Sequence, residues 1–340
     1  MKVATIFVVS LVTVLLLFSC KKSTGPVIPG WEVLSIGSNV DLFALDFVDE
    51  NYGWVVGRDT FIYHTTDGGN TWVAQTYPQF QGVPPQLHDI DFIDRQLGWA
   101  VGYFGTIIRT TDGGQNWVKA ESQYTETFNL VIFTDPRHGW IRGSSLVSYL
   151  RTTDGGETWI PVSSTPYEIG IWDFVDSLNG WARINSAINK TSDGGLSWVS
   201  IYPGPIPGGS FDFVDLYNGW GLMGERVSEY EQWYWIIHTT DGGYNWELQL
   251  DTFKYQLGIS SLKALTMLNP YTGWIAKRES QIVSVLHTSN GGNRWVEQPL
   301  PPAAGNRFIS DIDFINEKEG WAVGSQGLLL RTKNGGNPIR

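Results

Sequence analysis

Apolar and polar positions alternate over short stretches that end at glycine-rich turns, and the same pattern returns along the chain. Around the second copy, Ile90 to Ile93 alternates, Trp99-Ala100-Val101 is a short apolar run, and Thr106 to Thr110 and Trp117-Val118-Lys119 follow. This predicts four short strands. Between the last two, Asp112-Gly113-Gly114 is a hairpin signal, because Asp accepts hydrogen bonds from its own backbone and Gly supplies positive φ. No segment carries a helical period.

The hairpin signal recurs as TTDGGNTW at 65–72, TTDGGQNW at 110–117, TTDGGETW at 152–159, TSDGGLSW at 191–198 and TTDGGYNW at 239–246. Weaker copies follow as TSNGGNRW at 288–295 and TKNGGNP at 332–338. The aligned positions, Asp67, Asp112, Asp154, Asp193, Asp241, Asn290 and Asn334, lie on average about 45 residues apart. A second motif closes on Gly-Trp at Trp54, Trp99, Trp140, Trp181, Trp220, Trp274 and Trp321. Both series count seven units. Four strands per unit at this period predict an all-β, seven-bladed β-propeller of four-stranded antiparallel blades.

These residues carry a family resemblance. S/T-x-D-G-G-x-x-W resembles the Asp-box, or BNR, repeat of sialidases, sortilin-type receptors and xyloglucanase-type glycosidases. The longer pattern, DF(V/I)D to GWxVG to the box, is most similar to the photosystem II assembly and stability factor propellers and their bacterial relatives. The resemblance implies seven blades, a box joining the third and fourth strands, and a binding or assembly role rather than catalysis. It also implies that arginines contact the partner.

Composition narrows the alternatives. The 340 residues include 39 Gly, 17 Trp and one Cys, with a formal net charge of −11. Such acidity argues against nucleic-acid binding, and one cysteine excludes a disulfide framework or a Cys-cluster metal site. Met1-Lys2 followed by the apolar run from Val3 to Phe18 reads as a secretory leader too short to span a bilayer. Leu17-Phe18-Ser19-Cys20 resembles a bacterial lipobox, which implies lipidation of Cys20. The expected organisation is a leader at 1–19, a lipidated tether at 20–29 and a propeller at 30–340. The expected location is the cell envelope, with a membrane anchor and the fold facing the periplasm or exterior.

The box acids are expected to be structural. A site needs one asymmetric constellation, whereas a fold needs every turn made alike, and Asn290 and Asn334 replace the acid in two copies. No metal or cofactor is expected. A basic or imidazole residue precedes each box: His64, Arg109, Arg151, Lys190, His238, His287 and Arg331. These are expected to pair with Asp46, Asp91, Asp173, Asp212 and Asp313 or with blade-edge carbonyls, the three arginines being mostly buried. A basic patch for an acidic peptide is the alternative.

No sialidase Arg-Ile-Pro motif, Ser-His-Asp set, zinc pattern or phosphate loop is present, so no enzyme is expected. An acid pair on one face stays open. Connections from second to third and from fourth to first strands vary in length, and the fifth unit carries an insertion, GERVSEYEQWYW at 224–235. Variable loops on a rigid scaffold are where binding concentrates. Arg226, Tyr230 and Trp233, with Tyr255 on the next connection, are the candidate partner-binding residues, on the face opposite the boxes. An ornamental hairpin is the plainer alternative. The expected function is a monomeric protein-binding or assembly scaffold; a glycan binder or divergent glycosidase is the competing reading. Finally, Gly30-Trp31-Glu32-Val33-Leu34 matches a fourth-strand pattern, and the seventh box lacks its tryptophan. Residues 31–35 are therefore expected to close the ring as the outer strand of the last blade.

Overall fold

The computed structural model describes residues 28–339 apart from 59–61, 79–85, 121–123, 145–148, 163–168, 204–208, 227–230 and 257–260. Seven four-stranded antiparallel sheets form a closed ring of blades. Blade 2 is typical, with strands Leu87–Phe92, Gly98–Gly102, Ile107–Thr110 and Val118–Lys119 from the centre outward. Three short 3-10 turns are the only helical elements among the described residues, and none of the described helices is long and apolar enough to cross a membrane.

One contact repeats around the ring. The Gly-Trp tryptophan of each blade is fully buried, and in all blades but the fifth it stacks on the phenylalanine that ends the first strand of the next blade. Trp54 on Phe92, Trp99 on Phe133, Trp140 on Phe174 and Trp181 on Phe213 have ring centroids 3.6, 3.4, 3.8 and 3.7 Å apart. Trp274 on Phe314 and Trp321 on Phe47 continue the series, while Met267 fills this place beside Trp220. Each indole Nε1 also donates to the carbonyl of the first box glycine in the next blade, from Trp54 to Gly113 at 3.2 Å round to Trp321 to Gly68 at 3.0 Å. The glycine before each tryptophan leaves room for its own blade's phenylalanine; a Cβ on Gly98 would overlap the ring of Phe92.

The ring closes as the sequence predicts, with the strand starting slightly earlier. Ile28–Leu34 lies antiparallel to Leu329–Ile339, pairing Trp31 with Thr332 and Glu32 with Arg331. Trp31 is buried and meets Phe314 edge-on at 5.7 Å, as Trp117 meets Phe92 at 5.8 Å in blade 2. It therefore occupies the position that the seventh box leaves empty.

The basic series needs a correction. These residues do not pair with the first-strand acids, which accept backbone N–H groups instead. They lie against their own blade's tryptophan and the next blade's box. His64, His238 and His287 stack on Trp54, Trp220 and Trp274, and burial pushes all three imidazoles toward the neutral form. Lys190 Nζ sits 4.8 Å over Trp181. Arg331 donates to Gly68 O at 2.9 Å, Glu32 at 2.7 Å and Asn70 at 3.0 Å. Arg151 is buried against Gly194. Arg109, expected to be buried, keeps 27% side-chain exposure while bonding Gly155 O and Glu157. The register explains the misassignment: the strand acids belong to the central channel, two strands inward.

Trp31→Ala should cost about 3–5 kcal/mol, from the cavity left beside Phe314 and the lost Nε1 bond to Gln298. Arg331→Ala should cost about 2–4 kcal/mol by removing the hydrogen bonds to Gly68 O, Glu32 and Asn70 at once. Urea unfolding of each variant measures this, and an unchanged midpoint for Trp31→Ala would refute the closure.

Candidate functional site

The two faces of the disc differ in how their backbone is used. On the turn face, each box is a closed hydrogen-bonded unit. Asp67 Oδ1 accepts from Thr71 N at 2.8 Å and Thr65 Oγ1 at 2.9 Å, and Thr65 Oγ1 accepts from Gly69 N at 2.9 Å. Asn290 Oδ1 accepts from Arg294 N and Thr288 Oγ1 in the same way, so an amide oxygen suffices. The first box glycine has φ near +70° and donates to the carbonyl of the turn between first and second strands, as Gly242 does to Tyr217. These bonds favour the charged form, and the Asp154 carboxyl drops to about 2. Asp67, Asp112, Asp193 and Asp241 shift the same way. Asn334 Oδ1 accepts from Thr332 Oγ1 at 3.0 Å.

Around the central channel stands a second set of acids. Asp46 accepts from Phe92 N, Asp91 from Phe133 N, Asp173 from Phe213 N, Asp212 from Met267 N and Asp313 from Phe47 N, all within 2.9 Å and each from one blade to the next. Asp89 and Asp311 do likewise to Val131 N and Leu45 N. These side chains touch some solvent yet are enclosed on all sides by the ring, and enclosure raises their pKa. Asp91 and Asp311 rise to about 7, Asp173 and Asp313 to about 6. Asp46 is also raised, by its burial and by the charges of Asp313 and Asp91.

The repeat is broken on the variable face. Two residues after the Gly-Trp tryptophan, blades 1, 2, 5, 6 and 7 carry the buried Val56, Val101, Leu222, Ala276 and Val323. Blades 3 and 4 carry Arg142 and Arg183 instead. Both guanidinium groups converge on Gly170: Arg142 Nη1 approaches its carbonyl at 3.4 Å, and Arg183 covers its Cα where a side chain would stand. Burial lowers the Arg142 pKa, opposed by Tyr149 and Asp89, and the buried Arg183 Nε has no hydrogen-bond partner among the described residues. Across blades 1 and 2, Phe43 stacks on His88, and His88 meets Tyr103 edge-on at 4.6 Å. Phe104 next to it is 70% exposed with φ of 58°. Aligning the Gly-Trp strands by eye would have exposed the arginine pair, which the motif count passes over.

Of the candidate binding residues, the backbone brings three together. The second and third strands of blade 5, Gly219–Arg226 and Glu231–Thr239, and its outer strand, Glu247–Gln256, run 8, 9 and 10 residues, against 5, 4 and 2 in blade 2. Their register sets Arg226 opposite Gln232, Gln232 opposite Tyr255, and Trp233 opposite both Glu225 and Lys254. This extension lies at the end opposite the boxes. Tyr230 and Cys20 fall outside the described residues.

Fold and box together define a seven-bladed Asp-box propeller. A family model described as photosynthesis system II assembly factor YCF48 matches residues 26–121 and 82–201, just over half of the chain, and the chain belongs to this family. Among curated proteins it is similar to the photosystem II stability/assembly factor HCF136 of Oryza sativa subsp. japonica, 35% identical over 57 residues. It is also similar to the assembly protein Ycf48 of Thermosynechococcus vestitus, 33% identical over 46. These matches cover 16% and 14% of this chain but only 14% and 13% of the relatives' own length. Two solved structures share the fold. One, titled YCF48 bound to D1 peptide, has a TM-score of 0.67 at 20% identity, over 90% of this chain and 99% of that one. The other, a GH74 xyloglucanase from Xanthomonas campestris, has 0.69 at 12% identity, over 90% and 54%.

The two acid sets predict opposite pH limbs. Channel acids have raised folded pKa values, so the fold gains stability as pH falls from about 7 towards 4; box acids have lowered ones, so their contribution is lost as pH falls from about 4 towards 2. The melting temperature should peak between about pH 4 and 6, and Asp91→Asn should flatten the limb above 6. A melting temperature that climbs steadily from pH 5 to 8 would contradict this. Phe104→Gly should raise stability by about 1 kcal/mol, since glycine tolerates the left-handed conformation better. Loss of stability would show that the ring is held by packing.

Proposed function

We propose that the protein is a non-catalytic binding scaffold, held at the outer side of a cell membrane by a lipid on Cys20, that receives a protein partner on its variable face. The observation that carries this reading is the arginine pair. A buried aliphatic position that the fold fills alike in five blades is given to Arg142 and Arg183 in two adjacent ones. Convergent guanidinium groups suit carboxylates, and Tyr103 with Phe104 offers apolar surface nearby. The suited partner is a peptide segment with carboxylates beside apolar side chains. The propeller solved with a D1 peptide supports a protein partner as a class. The blade 5 extension, with Arg226, Trp233 and Tyr255 on its strands, widens the same face.

A carbohydrate-active reading has the raised channel carboxyls and the shared fold of a xyloglucanase in its favour. Against it, every one of those carboxylates already accepts a backbone N–H that links two blades.

Arg142→Val with Arg183→Val installs the residue that blades 1, 2 and 7 use, so the fold should be retained. Capture of partners from solubilised membranes should fall at least tenfold, with an equal or higher melting temperature. Undiminished capture, or release of reducing sugar from xyloglucan by the unmodified protein, would overturn the proposal.

A further inference from the structure

The turn face breaks its own symmetry. In the turn between first and second strands, the fourth residue is Asn51, Gln96, Arg137 and Lys318 in blades 1, 2, 3 and 7, but Leu178, Tyr217 and Tyr271 in blades 4, 5 and 6. The turn uses only the backbone of these residues, whose carbonyls accept from Gly194, Gly242 and Gly291. The side chains stand 51, 63 and 67% exposed. The box tips repeat the contrast: Asn70, Gln115 and Glu157 in blades 1 to 3 give way to Leu196 and Tyr244, 51 and 54% exposed, in blades 4 and 5. Nothing in the turn geometry requires apolar residues there. Grouped exposed apolar side chains mark a contact surface.

The chain's own path points to what covers it. The closing strand starts on this same face, with Ile28 beside Ile339 and Gly30 against Gly336 of the seventh box. Cys20 lies eight residues earlier. Even fully extended, that stretch reaches no more than about 29 Å. A lipid on Cys20 therefore holds the turn face, and not the variable face, towards the bilayer. The anchor enters at blade 7, and the apolar tips stand on blades 4 to 6, so the two attachments together lay the disc flat. Leucine and tyrosine at loop tips suit the boundary between acyl chains and headgroups. The net charge of −11 opposes an anionic surface.

We infer that Leu178, Leu196, Tyr217, Tyr244 and Tyr271 seat blades 4 to 6 on a zwitterionic lipid bilayer, leaving the variable face turned outward. This rests on the lipid-anchor reading, and the test separates the two. All the described strands lie within 28–339, so the chain from Cys20 onward, produced without lipid, retains the whole fold. It should float with phosphatidylcholine vesicles at millimolar lipid. Leu178→Asn, Tyr217→Asn and Tyr271→Asn together, which copy the residue of blade 1, should lower the bound fraction at least tenfold without changing the melting temperature. The inference is overturned if the unmodified chain stays unbound or if the triple variant binds equally well. Binding to anionic vesicles alone, or a concentration-dependent dimer that the triple variant abolishes, would also overturn it. The mass of the protein extracted from its own membranes tests the anchor independently.

Discussion

The structure depends on the contact between one blade's Gly-Trp indole and the next blade's phenylalanine and box glycine. An indole of this size removes about 150–250 Å² from water, worth about 4–6 kcal/mol gross per blade. Its Nε1 needs an acceptor once buried, and the box supplies a glycine carbonyl. That direction matters: every blade is completed by its successor, so no blade is a finished unit alone. Trp321 finds its acceptor on Gly68 only if blade 7 lies beside blade 1. Closure by Ile28–Leu34 is thus demanded by the same bond that joins the other blades.

A division of labour between the faces follows. Box acids, box glycines and the turns they grip are tied to one another through backbone atoms, which fixes the length of everything on the turn face. At the box tips Asn70 and Gln115 donate to the carbonyls of Asp67 and Asp112, while Leu196 and Tyr244 stand at the same places in blades 4 and 5, so these positions can differ from blade to blade. On the opposite face the backbone bonds differ from blade to blade, with Gly105 N reaching Glu126 O from blade 2 and Gly327 N reaching Val40 O from blade 7, and loop length itself varies, most in blade 5. One scaffold therefore carries two kinds of asymmetry: substitutions at fixed tips on one side, and insertions with altered strand ends on the other.

Much of this was legible in the sequence because it is periodic. Seven boxes gave the blade count, Asn290 revealed that the box acid acts as a hydrogen-bond acceptor, and the missing seventh tryptophan pointed to Trp31. Contacts between blades were not legible, because they join residues of different motifs at offsets that only the curvature of the ring defines. Asp91 and Arg109 stand two strands apart in blade 2, yet one reaches Phe133 N and the other Gly155 O, both in blade 3. The arginine pair escaped for a different reason. Arg142 and Arg183 sit inside strands whose flanking Gly-Trp draws attention to the repeat and away from its exceptions.

Those exceptions also give the channel a polarity. Asp46, Asp89, Asp91, Asp311 and Asp313 concentrate carboxylates at blades 7, 1 and 2, whereas blade 3 has Ile132 at the position of Asp91. Arg142 and Arg183 stand beside that gap. The acids on that side raise one another's pKa, Asp313 and Asp91 acting on Asp46 and Asp311 on Asp89, whereas blades 3 and 4 bring guanidinium groups to the other side. The asymmetry of the channel thus arises from what the fold omits at blade 3 as much as from what it adds.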